Sequence, residues 1–473
     1  MKNKNYRCGT IFLLFLTSMY VVNLNHVGLP LSKVIGSETG AENMQGMLKS
    51  SFIDEWDMTI EWNATMDYET YEGVDGIAVD STTGDIYVLG HNGWHPSLHY
   101  FKPVLTKYNG NGELQWNITW GQGLNGTGLG LDIALDSKGY IYITGYTGNF
   151  FDANNGILLK FNPLGELEWN RTWNREYSDA GKALKIDDQD NIYVTGDSRN
   201  NVFIPGPWND QNFKSDVILL KYNSSGVLVW NTTFIKEMSH YGWDLALDSS
   251  NNIYVIGLTR LSPSNENFFL IKFNSSGGFV WYRKWEESGS QYGNGIVIDS
   301  HDNIYIAGHD YYDLNNTIFV LKVDYEGNTL WIQEYWNHEG RATCIGIDSE
   351  DNIYLGGSVF ETDLYSYNAL NYYNASILKY SASGELLWVK LWDSSNSHLI
   401  EDIVLDSFGK IYIAGTTDRI YNNSYIYDNF VVKISSEIEE IVLNIPGFNI
   451  VVMLSLVTWF TSVILLAKKL KLK

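Results

Sequence analysis

Residues 244–257 read DLALDSSNNIYVIG, and versions of this stretch recur seven times along the chain. A short apolar segment ends in Asp, a polar turn follows, and a second segment begins with Ile-Tyr and ends in Gly. Short segments rich in Ile, Val and Tyr and bounded by Gly, Asn, Asp and Ser are typical of β-strands joined by tight turns. The seven first segments are GIAVD (76–80), DIALD (132–136), ALKID (183–187), DLALD (244–248), GIVID (295–299), CIGID (344–348) and DIVLD (402–406).

Two further segments complete each unit. The third carries a lysine near its end, and the fourth carries tryptophan, as in ELQWNITW, ELEWNRTW and ELLWVKLW. Four antiparallel strands in a unit of roughly 50–60 residues are typical of a β-propeller blade. We therefore predict an all-β fold, a seven-bladed β-propeller over residues 51–436.

The distribution of the fourth segment predicts how the ring closes. The seventh unit ends at residues 428–440 without a tryptophan strand, whereas an unaccompanied copy, EWDMTIEW (55–62), precedes the first unit. The N-terminal strand is therefore predicted to complete blade seven, which leaves no blade edge open at the junction.

The units resemble the SBBP β-propeller repeat of bacterial and archaeal surface proteins, for example in DSKGYIYITG (136–145) and FFLIKFNSSGGFVW (268–281). The resemblance covers about residues 55–435. It implies an extracellular protein that is attached to the cell wall or membrane, and it supplies no catalytic residues.

The N-terminus predicts export from the cell. Three cations, Lys2, Lys4 and Arg7, precede an apolar run over residues 11–22 that is too short to cross ~30 Å of hydrocarbon. Residues 1–30 are therefore predicted to be a signal peptide, with a linker over residues 31–50.

The C-terminus predicts a membrane anchor. Residues 449–467 are apolar and long enough to form a transmembrane helix, and the basic tail 468–473 belongs in the cytoplasm by the positive-inside rule. Residues 437–448 form a second linker. Its Pro446-Gly447-Phe448 motif resembles the PGF-type sorting signal of archaeal surface proteins, which implies removal of the tail and transfer to a lipid.

Charge excludes one class of partner. The chain has 32 Lys and Arg against 55 Asp and Glu, a net charge of −23, so its surface repels a phosphate backbone and no nucleic-acid partner is expected. For an extracellular chain, N-x-S/T sequons are glycosylation candidates: Asn63, Asn117, Asn125, Asn170, Asn223, Asn231, Asn274, Asn315, Asn374 and Asn422.

Strand direction assigns the connections to two faces. Turns from first to second and from third to fourth strands are short, whereas the connections from second to third strands are long and rich in Tyr, Trp and Asn. Long loops on a rigid face commonly carry binding sites, and flat rings stack on sugars or peptide side chains. The alternative is that these loops are merely solvated. The ligand-binding candidates are Trp94, Trp208, Tyr311, Tyr312, Tyr367 and Tyr372.

Acidic residues form a second candidate set. Asp132, Asp244 and Asp402 occupy one repeat position, predicted at the entrance of the innermost strand, where they could line the channel mouth and attract a cation such as Ca²⁺. Structural capping is the alternative. The spacing of His91, His95 and His99 would suit a metal on a helix, but Gly93 and Pro96 favour a loop, so no metal or other cofactor is predicted.

The sequence thus favours a non-enzymatic, membrane-anchored surface module for binding or adhesion, with a surface glycan or protein as partner. The alternative is an extracellular lyase or hydrolase that uses the acidic channel mouth. Motifs such as G-x-S-x-G, H-E-x-x-H and the P-loop do not occur in the sequence.

The predicted topology is tested by adding a protease to intact cells. We expect cleavage within residues 55–435 and protection of the lysine tail, as read by antibodies to each region. Protection of the propeller region, with cleavage only after lysis, would contradict the predicted orientation.

Overall fold

The computed structural model describes the chain over the following ranges: 11–15, 18–22, 59–66, 72–92, 102–120, 128–148, 154–175, 177–203, 213–236, 238–262, 265–285, 289–312, 315–362, 371–392, 397–421, 424–435, 440–445 and 448–453. Two units are distinguished, Met1–Glu55 and Trp56–Lys473. In the first unit, β1 (Ile11–Phe15) pairs antiparallel with β2 (Ser18–Val22). Most of the predicted signal peptide and the linker 31–50 lie outside the described ranges.

The second unit contains seven four-stranded antiparallel sheets, which are the predicted blades. In blades 1 and 2 the strands are β4 (Glu72–Val79), β5 (Ile86–Asn92), β6 (Lys102–Tyr108) and β7 (Leu114–Thr119), then β8 (Gly128–Leu135), β9 (Ile141–Thr147), β10 (Asn155–Phe161) and β11 (Leu167–Trp173). In blades 3 and 4 they are β12 (Ser178–Ile186), β13 (Ile192–Phe203), β14 (Phe213–Tyr222) and β15 (Leu228–Phe234), then β16 (Ser239–Leu247), β17 (Ile253–Ser262), β18 (Asn265–Phe273) and β19 (Phe279–Lys284).

Blades 5 to 7 repeat the arrangement. Their strands are β20 (Ser290–Ile298), β21 (Ile304–Tyr312), β22 (Asn315–Val323) and β23 (Thr329–Tyr335), then β24 (Glu339–Ile347), β25 (Ile353–Thr362), β26 (Asn371–Tyr380) and β27 (Leu386–Trp392), then β28 (His398–Leu405), β29 (Ile411–Tyr421) and β30 (Ser424–Ser435). The fourth strand of blade 7 is β3 (Thr59–Met66), which pairs antiparallel with β30. The predicted closure by the N-terminal strand is confirmed. The paired strand begins four residues later than the segment 55–62.

Antiparallel pairing gives the propeller two faces. We call the face with the first-to-second and third-to-fourth turns the lower face. The upper face carries the connections from second to third strands and from one blade to the next. Each innermost strand therefore begins at the upper face and ends at the lower face.

A buried contact between Asp, Tyr and Lys recurs within the blades. In blade 5, Tyr305 Oη donates to Asp299 Oδ2 at 3.1 Å, and Lys322 Nζ lies 3.3 Å from the same oxygen. The other carboxylate oxygen accepts the backbone N–H groups of His301 and Asn303, which holds the lower turn. Equivalent hydroxyl contacts pair Tyr142 with Asp136, Tyr193 with Asp187, Tyr254 with Asp248, Tyr354 with Asp348, and Tyr412 with Asp406.

Neighbouring blades interlock where a tryptophan covers a glycine. The ring of Trp116 in blade 1 lies 3.2 Å from the point where a Cβ would stand on Gly165, in a lower turn of blade 2. Gly165 has φ +84°, so a side chain there would be strained as well as in collision. The same contact pairs Trp62 with Gly112, Trp169 with Gly226, Trp230 with Gly277, Trp281 with Gly327, and Trp331 with Gly384.

The repeated aromatic residues belong to the core. The seven Tyr residues of the second strands are fully buried, and the paired tryptophans lie half-buried against the inter-blade clusters. These rings are scaffold and not a ligand platform.

Several predicted long loops are instead extensions of strands. The segment 309–317 is a hairpin of β21 and β22, with only residues 313–314 undescribed. Residues 416–429 likewise belong to β29 and β30, except for 422–423. Tyr, Ile, Thr and Phe favour extended, cross-paired backbone, which explains why these polar-aromatic stretches continue the sheet.

The C-terminal region contains one more hairpin, β31 (Glu440–Ile445) with β32 (Phe448–Met453). Strand β32 includes residues 449–453, which were predicted to begin the membrane helix 449–467. Ile450, Val451 and Val452 are residue types that favour extended backbone. Residues 454–473 lie outside the described ranges. Within the described ranges, no helix has the length and hydropathy needed to cross a membrane.

Replacing Trp62 tests the closure of the ring. Trp62 lies on the closing strand, covers Gly112, and donates from Nε1 to Gly110 O at 3.0 Å. We expect Trp62→Ala to lower the free energy of unfolding by about 3 kcal/mol, as Trp116→Ala should, because each opens one blade interface. Thr65→Ala, an exposed change in the same strand, is the control for urea denaturation. A Trp62 effect as small as the Thr65 effect would contradict closure.

Candidate functional site

Every innermost strand is interrupted by a β-bulge at the same place. The register of each first strand against its neighbour skips one residue, midway between the two faces. A bulge leaves the extra residue unpaired and redirects its side chain. Around the axis the skipped residues, here called the bulge ring, are Asp75, Leu131, Lys182, Trp243, Asn294, Thr343 and Glu401.

The three predicted acidic residues come directly after the bulge. Asp132, Asp244 and Asp402 therefore lie inside their strands, not at the strand entrance as predicted. The sequence pattern did not predict this position because the strands begin several residues before the repeated pentapeptide. A bulge also shifts the in-and-out alternation of side chains by one residue.

Each of these carboxylates joins two blades. Asp132 accepts the N–H of Leu184 in blade 3 at 2.7 Å, and its other oxygen accepts the N–H of Ile133 at 2.7 Å. Asp244 accepts from Ile296 in blade 5 at 3.0 Å. Asp402 accepts from Ile77 in blade 1 at 2.9 Å. These hydrogen bonds give the three residues a structural role between first strands.

A single ammonium group stands among the three carboxylates. Lys185 Nζ lies 3.8 Å from Asp244 Oδ1, and its side chain is 42% exposed although it belongs to an innermost strand. Burial opposes its charge, but Asp244, Asp132 and Asp402 outweigh burial and raise its pKa. These residues come from blades 2, 3, 4 and 7, which approach one another only at the axis. The charges therefore cluster in an open channel.

Burial dominates the carboxylate pKa values here. It raises the pKa of Asp132 to about 6 and that of Asp402 to about 7, against Lys185 and the backbone N–H groups. It also raises the pKa of Asp244.

The sequence did not predict the bulge ring. Most of its polar residues form a hydrogen bond or an ion pair. Asp75 Oδ2 lies 2.8 Å from His91 Nδ1, Lys182 Nζ lies 3.3 Å from Asp197, and Asn294 donates to Ala342 O at 2.6 Å. Thr343 donates to Ile400 O. A usable signal was present: this position varies from unit to unit, inside a strand whose neighbours repeat.

Glu401 is the exception. No hydrogen bond or ion pair links its carboxylate to another residue within the described ranges. Burial raises the pKa of Glu401 to about 7; Arg341 and His91 oppose this, whereas Asp75 and Asp402 add to it. A partly buried carboxylate at the axis, without an ion pair in the described ranges, is therefore the feature that the scaffold does not explain.

Aromatic side chains in blades 4 and 5 lie across the axis from Glu401. Trp243 stacks on Tyr292, with ring centroids 6.4 Å apart, and Tyr292 stacks on His309 at 4.9 Å. Burial, with the nearby Arg341, lowers the pKa of His309 to about 4, so this imidazole is neutral at pH 7.

The aromatic candidates from the sequence fall into three groups. Tyr311 lies at the upper end of β21 and is 43% exposed. Tyr312 and Tyr372 lie in strands, but their side chains are not described. Trp94, Trp208 and Tyr367 lie outside the described ranges.

The upper face has a further exposed ring that the sequence reasoning overlooked. Trp336 is 73% exposed in the connection from blade 5 to blade 6. Nearby in blade 6, Tyr373 is partly exposed, packs on Phe360, and has the Arg341 guanidinium 5.7 Å above its ring. Tyr311, Trp336 and Tyr373 are here called the upper aromatic rim.

Of the histidine candidates, His91 lies in the described ranges and contacts Asp75, whereas His95 and His99 lie outside them. On the lower face, Asp299, His301 and Asp351 place ligand atoms within 4.8 Å of one another. Asp299 is already occupied by Tyr305, Asn303 and Lys322, so its contacts favour a turn over a cation.

The sequons differ in accessibility. Asn63, Asn117, Asn170, Asn231 and Asn274 are exposed, whereas Asn374 is buried. Asn223 is partly buried, Asn315 lies in β22 without a described side chain, and Asn125 and Asn422 lie outside the described ranges.

No family model matches the chain. It is similar to the uncharacterized WD repeat-containing protein L264 of Acanthamoeba polyphaga mimivirus, with 21% identity over 378 residues that cover 58% of this chain. The match spans only 27% of that relative's length.

Among solved structures, the fold is similar to the WD40 domain of Neurospora crassa Pan2 (TM-score 0.48, 10% identity, 80% of this chain and 95% of that one). It is also similar to the polysaccharide lyase Uly1 (TM-score 0.47, 11% identity, 77% and 90%) and to Sqt1 from Chaetomium thermophilum (0.45, 10%, 80% and 99%). These likenesses concern the propeller fold alone.

Glu401→Gln tests the electrostatics of the channel. Because the folded-state pKa is raised to about 7 from 4.5, the native protein holds a proton that the unfolded chain releases between these pH values. Wild-type stability therefore falls as pH rises through this window. We expect the variant to gain about 1–3 kcal/mol over wild type at pH 8 and much less at pH 5, measured by urea denaturation.

The control is Glu350→Gln, an exposed carboxylate on the lower face, which should change stability little at either pH. An equal gain for Glu401→Gln at both pH values would show that the effect is not ionisation.

Proposed function

We propose that this protein is a non-enzymatic binding or adhesion module that recognises a surface glycan or protein through its upper face. The observation that carries the proposal is the upper aromatic rim, whose rings are exposed on a rigid sheet framework. Exposed Trp and Tyr on a firm scaffold provide a large contact area with little loss of conformational entropy.

The position of the rim supports the proposal. Trp336 and Tyr311 lie outside the repeated Tyr and Trp positions that pack the blades, so the scaffold does not require them. The candidates Trp94, Trp208 and Tyr367, which lie outside the described ranges, belong to connections on the same face by strand direction. Their inclusion in the site is part of the proposal.

We further propose that the propeller is held outside the cell. The basic, apolar N-terminus, the apolar segment 449–467 and the lysine-rich tail support this placement. The resemblance of Pro446-Gly447-Phe448 to an archaeal sorting signal supports processing of the tail. An anchored ectodomain would present its loop face to glycans or proteins of a neighbouring surface.

A second function is favoured by the channel. Glu401 and Asp402 are adjacent acids whose pKa values are raised to about 7, which suits general acid–base chemistry at neutral pH. The alternative is therefore an extracellular lyase or hydrolase centred on these residues.

Alanine substitution of the rim tests the binding function. We expect Trp336→Ala and Tyr311→Ala to weaken binding of the ectodomain on glycan and protein arrays by roughly 5–150-fold, since an exposed ring at a binding centre contributes about 1–3 kcal/mol. Trp94→Ala and Trp208→Ala should act in the same direction. Thermal midpoints should hardly change.

The lower face offers matched controls. Phe408 is 71% exposed and Tyr325 is 56% exposed, both in lower turns, and their replacement by Ala should leave binding intact. Equal losses from both faces would contradict the proposed site. A catalytic activity lost in Glu401→Gln but retained in Trp336→Ala would instead identify the enzyme.

A further inference from the structure

We propose that the channel binds a protonated amine at the level of the bulge ring, and that Glu401 is the residue that receives it. The inference rests on the proposed function, since it names the chemical group of the ligand that enters the axis. It covers amines from several sources, such as an amino sugar, a lysine side chain or a polyamine.

The first argument is the lack of a partner for Glu401. Among the polar residues of the bulge ring, Asp75, Lys182, Asn294 and Thr343 are each hydrogen-bonded or ion-paired. The carboxylate of Glu401 has neither contact within the described ranges, although it is partly buried. An ionised carboxylate that has lost part of its hydration without gaining a partner is stabilised by a cation that reaches it.

The second argument is the charge around this carboxylate. Asp75 and Asp402 are like charges that raise the pKa of Glu401, whereas Arg341 and His91 lower it. Both cations also contact other groups, since His91 contacts Asp75 and the Arg341 guanidinium lies over Tyr373. Lys185 is the counter-charge of Asp132, Asp244 and Asp402, and Lys182 pairs with Asp197. Within the described ranges, carboxylates therefore outnumber cationic groups at this level of the channel.

The third argument distinguishes an amine from a metal ion. Ca²⁺ takes six to eight oxygen ligands. The oxygens of Asp132, Asp244 and Asp402 already accept backbone N–H groups from two strands each, and Lys185 stands among them. A primary ammonium carries one charge and donates three hydrogen bonds, so one free carboxylate and a few neutral acceptors suffice.

The fourth argument is an aromatic ring at the same level. Trp243 occupies the bulge position in blade 4, as Glu401 does in blade 7. Blades 4 and 7 are separated by three steps in one direction and four in the other, so they lie on opposite sides of the axis. An ammonium group between a carboxylate and an indole gains both charge pairing and a cation–π contact.

The proposal is tested by isothermal titration calorimetry on the full-length protein at pH 8. The probes are 1,4-diaminobutane and butylamine, which are protonated from pH 6 to pH 8, with 1,4-butanediol and calcium chloride as the uncharged and metallic comparisons. We expect both amines to bind at one site and the two comparisons to give no heat. Glu401→Gln should weaken amine binding by about 10-fold or more, since a hydrogen bond to a charged group is lost.

The pH dependence supplies a readout that a structural role would not move. The groups facing Glu401 are Arg341 on β24, Asp75 on β4, His91 on β5 and Asp402 on β28. Lowering the pH from 8 to 6 should weaken amine binding to the wild type by about 10-fold, because Glu401 takes up its proton near pH 7. The residual binding of Glu401→Gln should change much less, and Glu350→Gln should behave as wild type.

Four results would overturn the proposal: no amine binding to the wild type, unchanged binding in Glu401→Gln, an equal loss in Glu350→Gln, or displacement of the amine by calcium. The outcome is separable from that of the proposed function. Trp336→Ala should weaken array binding yet keep amine binding. Array binding that depends on Trp336 without any amine binding would leave the proposed function standing and remove this inference.

Discussion

The carboxylate at the end of each first strand is the interaction on which the blade depends. A buried aspartate is stable only when its oxygens are satisfied. In blade 5, burial alone would raise the pKa of Asp299, but the hydrogen bonds from Asn303 and His301 and the charge of Lys322 lower it. One carboxylate in blade 5 thus contacts the lower turn, the tyrosine of the second strand and the lysine of the third. The aspartate–tyrosine contact recurs in blades 2 to 7. In blade 1 the lysine of the third strand, Lys107, pairs with Asp85 instead.

Repetition of this contact makes the blades similar, and a repeated interface between similar units closes into a ring when the rotation per unit divides a full turn. The covered glycines set the fit between neighbours, since a ring such as Trp116 occupies the place that a side chain on Gly165 would need. Trp62 makes the same contact with Gly112 from a strand distant in sequence. The ring therefore closes through the same interface that joins the other blades, and the first strand of the propeller is the fourth strand of blade 7.

This division between repeated and unrepeated positions explains what the sequence could predict. The number of strands, the number of blades, the closure and the core tyrosines all follow from repeated positions, so seven copies of the pattern support the same prediction. A β-bulge has no fixed residue signature. The repeat alone therefore predicts that Glu401 precedes the innermost strand and that Asp402 begins it. The repeat also predicts a loop at Tyr311, because a polar-aromatic stretch continues a hairpin only if its partner strand also extends.

The same division locates the chemistry of the molecule. The buried carboxylates at the ends of the first strands are matched locally, as Lys322 matches Asp299, so these charges leave little field at a distance. At the axis, by contrast, the first strands of all blades converge, and the position after the bulge places three carboxylates around Lys185. The bulge ring adds Glu401, which has no ion pair within the described ranges. Positions that vary from one blade to the next therefore meet at the axis, where they leave more negative than positive charge, with the Trp243 indole on the opposite side.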